Sequence, residues 1–475
     1  MFTKNATENI SLLDEQLRIG KTFDVVKREV VIGGRQSVMY FVDGFIKDDL
    51  VQRLLEGFFK ITPAEMANIK DLTQFSNQYI SYVEVTVEKK LDAIITQVLS
   101  GPMAFIIDGF DEVIMLDVRT YPARGPEEPS KEKVLRGSRD GFVETIVFNT
   151  ALIRRRIRTA DLSFEMVSVG SLSKTDVAIG YIDGIASPKD INLIKDKIKE
   201  VHVNALTMTD RSLVEAMRKS WFNPFPKVRY TERPDVAAAH LLEGKIVVII
   251  DNSPSVLILP TTIFSFMQDI DDYYVPPLTG NYLRLIRNFI LLATVFITPL
   301  YLLLTKIALT LPEAFHIFAL EEQPVVPLLL QFLLLEVAID GLKLASLNTP
   351  DTLGMSLSVV GALILGDMAI SIGWFSPQAV LYMAVVALGS FAQPSIELGY
   401  AIKFMRLILL FLTALFSTWG FIGGLVIILI ILITNKTITG DSYLYPLVPF
   451  NGKELWSLMV RTPIGKDEPS PQKNK

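Results

Sequence analysis

Apolar and polar positions follow two different rhythms along this chain. From Val38 to Pro260, short β-branched and aromatic runs alternate with stretches of helical spacing, the pattern of α/β layers. Two stretches run in the same order: Ser81–Asp117 and Val228–Pro260 each read strand, charged turn, helix, glycine, buried strand, tight turn, second strand. In both, a Leu-x-Gly (Leu99–Gly101, Leu242–Gly244) stands where a helix ends and a C-cap glycine is expected. The apolar run that follows stops at Asp108-Gly109 or Asp251-Asn252, both hairpin-turn dipeptides, 143 positions apart. Upstream, Tyr40–Gly44 and Tyr181–Gly184 close apolar runs at a spacing of 140. The pattern predicts two similar subdomains, 21–120 and 161–280, after an N-terminal segment of 1–20.

Beyond residue 280 the rhythm changes to long uncharged runs. Phe289–Thr305 is uncharged over 17 residues, with Arg284 and Arg287 just before it, a positive-inside arrangement. Asp271-Asp272-Tyr273-Tyr274 ahead of it reads as an interfacial anchor. Pro324–Leu335 is short for a span and runs into Glu336, Asp340 and Lys343, which share one helical face. That face fits either an interfacial helix or one whose charges line a wet cavity. In Thr352–Ile372, Gly354, Ser358, Ala362 and Gly366 recur every four residues and Asp367 lies beside them. Such a stripe lets helices approach closely in a bilayer. Pro377–Ile396 reads as a further span. Lys403 and Arg406 mark the cytoplasmic start of the last one, Leu407–Thr434, with 28 uncharged residues. Those 28 allow one tilted helix or two passes that fold at Gly420–Gly424. The expected fold is thus an α/β cytoplasmic domain followed by an all-α polytopic membrane domain (281–436) and a C-terminal tail (437–475), disordered from Asn451 to Lys475.

Composition sharpens this division. Half of the 475 residues are hydrophobic and 20% are charged, and the mean hydropathy is +0.37, high for a water-soluble chain. Only 12 charged residues fall in 288–434. There are no cysteines, which excludes disulfides, thiolate metal sites and cysteine nucleophiles. The three histidines lie far apart in sequence, so no metal or other cofactor is expected. A net charge of −5 argues against a nucleic-acid binder. The first thirty residues lack the apolar core of a signal peptide, which predicts a cytoplasmic first domain. Between the subdomains, 121–160 is expected to form a basic linker and helix. Arg154, Arg155, Arg156 and Arg158 are its candidates for contact with acidic headgroups or an acidic subunit, the alternative being a solvated linker with internal ion pairs. Phosphate-binding glycine loops are absent, Ser171–Lys174 matches S-x-x-K without companion motifs, and nothing indicates an enzyme.

Several long strings resemble the A subunit of the GerA-family spore germinant receptors: ARGPEEPSKEKVLRGSRDGFVE (123–144) with ALIRRRIR (151–158), SKTDVAIGYIDGIA (173–186), TERPD, LLEGK and ILP within 231–274, and VVGALIL (359–365) with 392–406. The resemblance implies a protein of the spore inner membrane that works with a transporter-like B subunit and a lipoprotein C subunit. It further implies homo-oligomers that form a ligand-gated ion channel, with nutrient recognition attributed mainly to the B subunit. Glu336, Asp340, Ser358, Ala362, Gly366 and Asp367 are then the candidates for lining or gating the path. A non-conducting scaffold that organises the receptor is the competing reading.

Overall fold

The computed structural model describes residues 2–119, 137–218, 222–269, 271–308, 312, 316, 318, 324–348 and 369–461. They fall into two compact units, one of residues up to 218 with Val228–Pro260, the other of Phe222–Lys227 and the residues from Thr261 onward.

The first unit contains two five-stranded sheets. In chain order the first half is α1 (Ala6–Gln16), β1 (Val25–Ile32), β2 (Arg35–Val42), α2 (Asp48–Phe58), α3 (Pro63–Ala67), α4 (Leu72–Tyr79), β3 (Val85–Glu88), α5 (Leu91–Ser100), β4 (Met103–Ile107) and β5 (Val113–Leu116). The second half is α6 (Ile146–Arg156), β6 (Leu162–Val169), β7 (Thr175–Ile182), α7 (Pro188–Lys199), α8 (Thr209–Met217), β8 (Arg229–Thr231), α9 (Pro234–Leu242), β9 (Ile246–Ile250) and β10 (Val256–Leu259). The sheet orders are β1-β2-β4-β5-β3 and β6-β7-β9-β10-β8, and each pairing is antiparallel. The second order is the first repeated. Each half is therefore a copy of one antiparallel α/β design.

Local chemistry sets the punctuation. Gly101 ends α5 at φ 116° and Gly244 follows α9 at φ 85°, conformations a Cβ would oppose. The hairpin turns carry Gly109 at φ 91° and Asn252 at φ 65°, so asparagine takes the left-handed position that glycine holds in the other copy. β4 is buried on both faces and its side chains alternate between two cores. Met103, Phe105 and Ile107 pack under α2, α3 and α4, where Phe105 stacks on Phe58 at 5.2 Å. Ala104 and Ile106 pack under α1 and α5.

The repeat begins earlier than the sequence suggests. Asn9 of α1 exchanges two hydrogen bonds with the backbone of Thr3 (2.9 and 2.6 Å), and Asn149 of α6 does the same with Val143 (2.8 and 2.6 Å). The first helical N–H is taken by a hairpin aspartate in each copy: Ala6 N–H by Asp108 (3.0 Å) and Ile146 N–H by Asp251 (3.2 Å). The helix placed in a linker is thus the counterpart of α1.

The second unit is helical. After a 3-10 turn at Ile263–Phe266 it continues with α10 (Asp271–Tyr274), α11 (Pro277–Ile307) and α12 (Leu328–Asn348). Past a single turn at Ala369–Ser371 come the helices Pro377–Phe391, Ile396–Thr434 and Gly452–Met459. Among the described residues two helices are long and apolar enough to cross a membrane, Pro277–Ile307 and Ile396–Thr434. Pro377–Phe391 is 15 residues long, because the Ser395 side chain starts a new helix where one span was expected. The stretch from Asn451, expected to be disordered, carries the helix Gly452–Met459, capped by Asn451. Next to the aromatics Tyr273 and Tyr274, which were expected at a headgroup belt, Asp272 is fully buried and held by Arg287 at 2.8 Å.

Candidate functional site

Inside the apolar helical unit lies a chain of charges. α12 continues through its charged face, bringing Glu336 and Asp340 to one side a turn apart. The helix Ile396–Thr434 presents Lys403 and Arg406 at i,i+3, again on one side. The two faces meet. Arg406 Nε donates to Glu336 Oε1 at 2.8 Å, its Nη2 donates to the same oxygen, and Nη1 donates to the Thr294 carbonyl of α11 at 3.0 Å. Lys403 Nζ lies 3.1 Å from Glu336 Oε2 and also bonds Asp340.

Burial is graded along the chain. The Arg406 and Glu336 side chains are 5% and 7% exposed, Lys403 15% and Asp340 31%. Nearby, Lys343 donates to Ser390 Oγ at 3.0 Å and lies over the Phe391 ring at 4.7 Å. A charge in such surroundings persists only when paired or when it faces water. Arg406–Glu336 is the buried end, Lys403 bridges Glu336 to Asp340, and Asp340 is the more exposed end. The site can hold or exchange ion pairs along a polar seam; it has no arrangement of nucleophile and base. Among the described residues no acidic–histidine cluster forms a metal site.

The structure brings together two of the expected site residues, Glu336 and Asp340, and adds Lys403 and Arg406, expected only as the start of the last span. Both cations are drawn against α12 because its carboxylates compensate them. A signal existed: two acids at i,i+4 and two cations at i,i+3 on otherwise apolar helices are complementary. Ser358, Ala362, Gly366 and Asp367 lie outside the described residues.

The arginine cluster divides. Arg154 is fully buried, its Nε 2.9 Å from Asp24 Oδ2 and its Nη groups bonded to the carbonyls of Thr159 (3.0 Å) and Leu162 (2.9 Å). It is unavailable to an external anion, and it joins the two copies of the repeat. Arg156 bonds Asp140 at 2.7 Å. Burial works against that carboxylate, yet hydrogen bonds from Arg156 and Ser138 more than offset it and hold Asp140 below the usual carboxylate range. Arg155 and Arg158 are exposed.

The family model described as Bacillus/Clostridium GerA spore germination protein matches residues 13–473. Stage V sporulation protein AF of Bacillus subtilis (strain 168) is 39% identical, covering 98% of this chain and 95% of its own. Spore germination protein A1 of the same organism is 30% identical, covering 80% of this chain and 79% of its own. The crystal structure of the N-terminal domain of the A subunit of the Bacillus megaterium spore germinant receptor GerK3 aligns with 54% of this chain and 95% of its own, at 25% identity and a TM-score of 0.42.

Proposed function

The chain belongs to the GerA family of spore germination proteins, and from that premise we propose that it is a subunit of a nutrient-responsive germination complex, in which its helical unit provides an ion path through the spore inner membrane. The observation that carries this reading is the charge chain Arg406–Glu336–Lys403–Asp340, buried at one end and more exposed at the other, within a unit that holds two helices fit to span a bilayer. Ion pairs buried among apolar helices are costly, and their frequent use is along ion pathways.

In this mechanism the germinant shifts a two-state helical unit, and the shift exchanges partners along the seam so that ions pass. The ligand has to favour the open state, or no shift follows. The fold is then polytopic, the α/β unit is cytoplasmic, and copies of this chain assemble with a transporter-like and a lipoprotein subunit. The stripe of Ser358, Ala362 and Gly366, with Asp367, completes the path. Arg155 and Arg158 supply an anionic contact.

The test is ion flux in liposomes that hold the purified chain with its partner subunits. Germinant-dependent flux that Lys403→Gln or Asp340→Asn alters in rate or selectivity supports conduction. Flux that does not require this chain removes it. Leu at Ser358 or Ala362 should block flux or leave it constitutive, and unchanged flux would take that stretch out of the path.

A non-conducting scaffold is favoured by one observation, the deep burial of the Arg406–Glu336 pair, which suits a structural pin. In that case both substitutions weaken the folded unit and leave any flux unchanged. The name of the 39% identical relative refers to sporulation and to no receptor. Germination of spores that lack this chain, tested with several nutrients, separates a receptor role (one nutrient affected) from a general one (all affected).

A further inference from the structure

The stretch Ile396–Thr434 forms 39 residues of apolar helix. Unbroken, it would be about 58 Å long at 1.5 Å per residue, nearly twice the ~30 Å hydrocarbon layer. It is not unbroken. Ser417 sits at φ 53°, ψ −128°, outside helical space.

Contacts across that residue fix what the break does. Leu409 and Gly424 are 15 positions apart, ~22 Å in a straight helix. Yet a Cβ built on Gly424 would lie 2.7 Å from Leu409 Cδ1 and 3.5 Å from its Cα. A Cβ on Gly420 would run into the Leu412 carbonyl oxygen. Near the two ends, Leu398, Ala401 and Ile402 share a cluster with Leu432 and with Tyr443 beyond the helix. The chain reverses.

The reversal is also capped. In a continuous helix the N–H groups of residues 417 and 418 would bond the carbonyls of Thr413 and Ala414. Here Lys306, in the last turn of α11, donates to both, at 3.3 Å for Thr413. Its ammonium meets the negative end of the first leg. Lower down, Arg406 bonds the Thr294 carbonyl, so the first leg runs beside α11 in the same sense and its tip reaches the far end of α11. The return leads back to where α11 starts. The helix Gly452–Met459 docks there, with Arg284 donating to the Leu458 carbonyl at 2.8 Å and Arg461 N–H donating to Asn281 at 2.6 Å.

We infer that residues 396–434 are a helical hairpin turned at Ser417 and capped by Lys306, so that Ser395, Asn435 and the C-terminal helix all lie on the membrane side from which α11 starts. The stretch then adds an even number of crossings. This is independent of whether the unit conducts, since a scaffold would have the same hairpin.

Because the chain has no cysteine, introduced thiols report without background. In the full chain in native membranes, oxidation of Leu409→Cys/Gly424→Cys should make both thiols unreactive to maleimide-polyethylene glycol within a monomer. Both staying reactive would overturn the hairpin. Should that pair disturb folding, Leu278→Cys, Lys436→Cys and Trp419→Cys are labelled singly with a membrane-impermeant maleimide in sealed vesicles of one orientation. Leu278 and Lys436 should react from one side and Trp419 from the other; Lys436 reacting from the opposite side to Leu278 would overturn the inference. Lys306→Met should slow the 409–424 cross-link severalfold and Lys306→Arg should restore it, and an unchanged rate would refute the cap.

Discussion

Arg154 and Arg406 are both buried, and each holds a carboxylate from a distant part of the chain, Asp24 and Glu336. Their surroundings differ. Arg154 has two further backbone acceptors, so its donors are satisfied within a joint between the two copies of the α/β repeat. Arg406 has one, and shares its carboxylate with Lys403, whose second partner Asp340 is 31% exposed. The comparison teaches that burial of an ion pair does not set its role. A pair closed on itself fixes a geometry, whereas one that shares its charges has an alternative partner within reach.

The largest effect should come from breaking the shared chain. Glu336→Gln leaves Arg406 and Lys403 short of a carboxylate in an apolar bundle and should cost about 3–5 kcal/mol, read as thermal unfolding of the full chain in detergent. A melting temperature equal to wild type would show that the pair contributes little. Asp24→Asn strands Arg154 with carbonyl acceptors only and should cost about 3 kcal/mol. The comparison sharpens with Asp24→Leu/Arg154→Met, which should recover most of that loss because no unpaired charge remains, while Glu336→Leu/Arg406→Met should restore stability without restoring flux. Equal recovery of stability and flux would erase the distinction.

Smaller effects test the repeat itself. Asn9→Ala and Asn149→Ala each remove two hydrogen bonds from equivalent loops and should cost similar amounts, about 1–2 kcal/mol. A large difference would mean that one copy carries the fold.

Smallest is a pH effect confined to the second copy. Burial pushes the His240 imidazole below its usual range, partly opposed by its bond to Glu243 at 2.9 Å. As pH falls below ~6.5, the unfolded chain takes up a proton that folded His240 resists, so stability declines until the folded pKa is passed. His240→Gln, which matches Gln97 at the 143-residue spacing, should flatten the unfolding profile between pH 7 and 5.5. An unaltered slope would exclude His240 as its source.

Much of the α/β unit was legible because its signals are local. Leu99–Gly101 and Leu242–Gly244 mark helix ends, and Asp108-Gly109 and Asp251-Asn252 mark turns, since left-handed backbone admits few residue types. The matching loop contacts of Asn9 and Asn149 were not, because each acts on backbone six residues away and leaves no periodic trace. In the helical unit the apolar runs announced α11 and the stretch Ile396–Thr434. The turn point was misplaced at Gly420–Gly424, for those glycines serve the close approach of two legs whereas Ser417 makes the bend.

The sequence alone determined the two rhythms, the helix ends and turns that the two copies share and the greasy character of the second half, which follow from composition and spacing over short windows, while the family resemblance rests on the long matching strings. Only the tertiary structure decided that Arg154 closes a joint, that Lys403 and Arg406 belong with Glu336 and Asp340, and that Lys306 meets the carbonyls before Ser417. Each of these joins residues separated by 60 to 130 positions. Which charge meets which is fixed by the packing that removes water from both, and a linear chain does not carry that information.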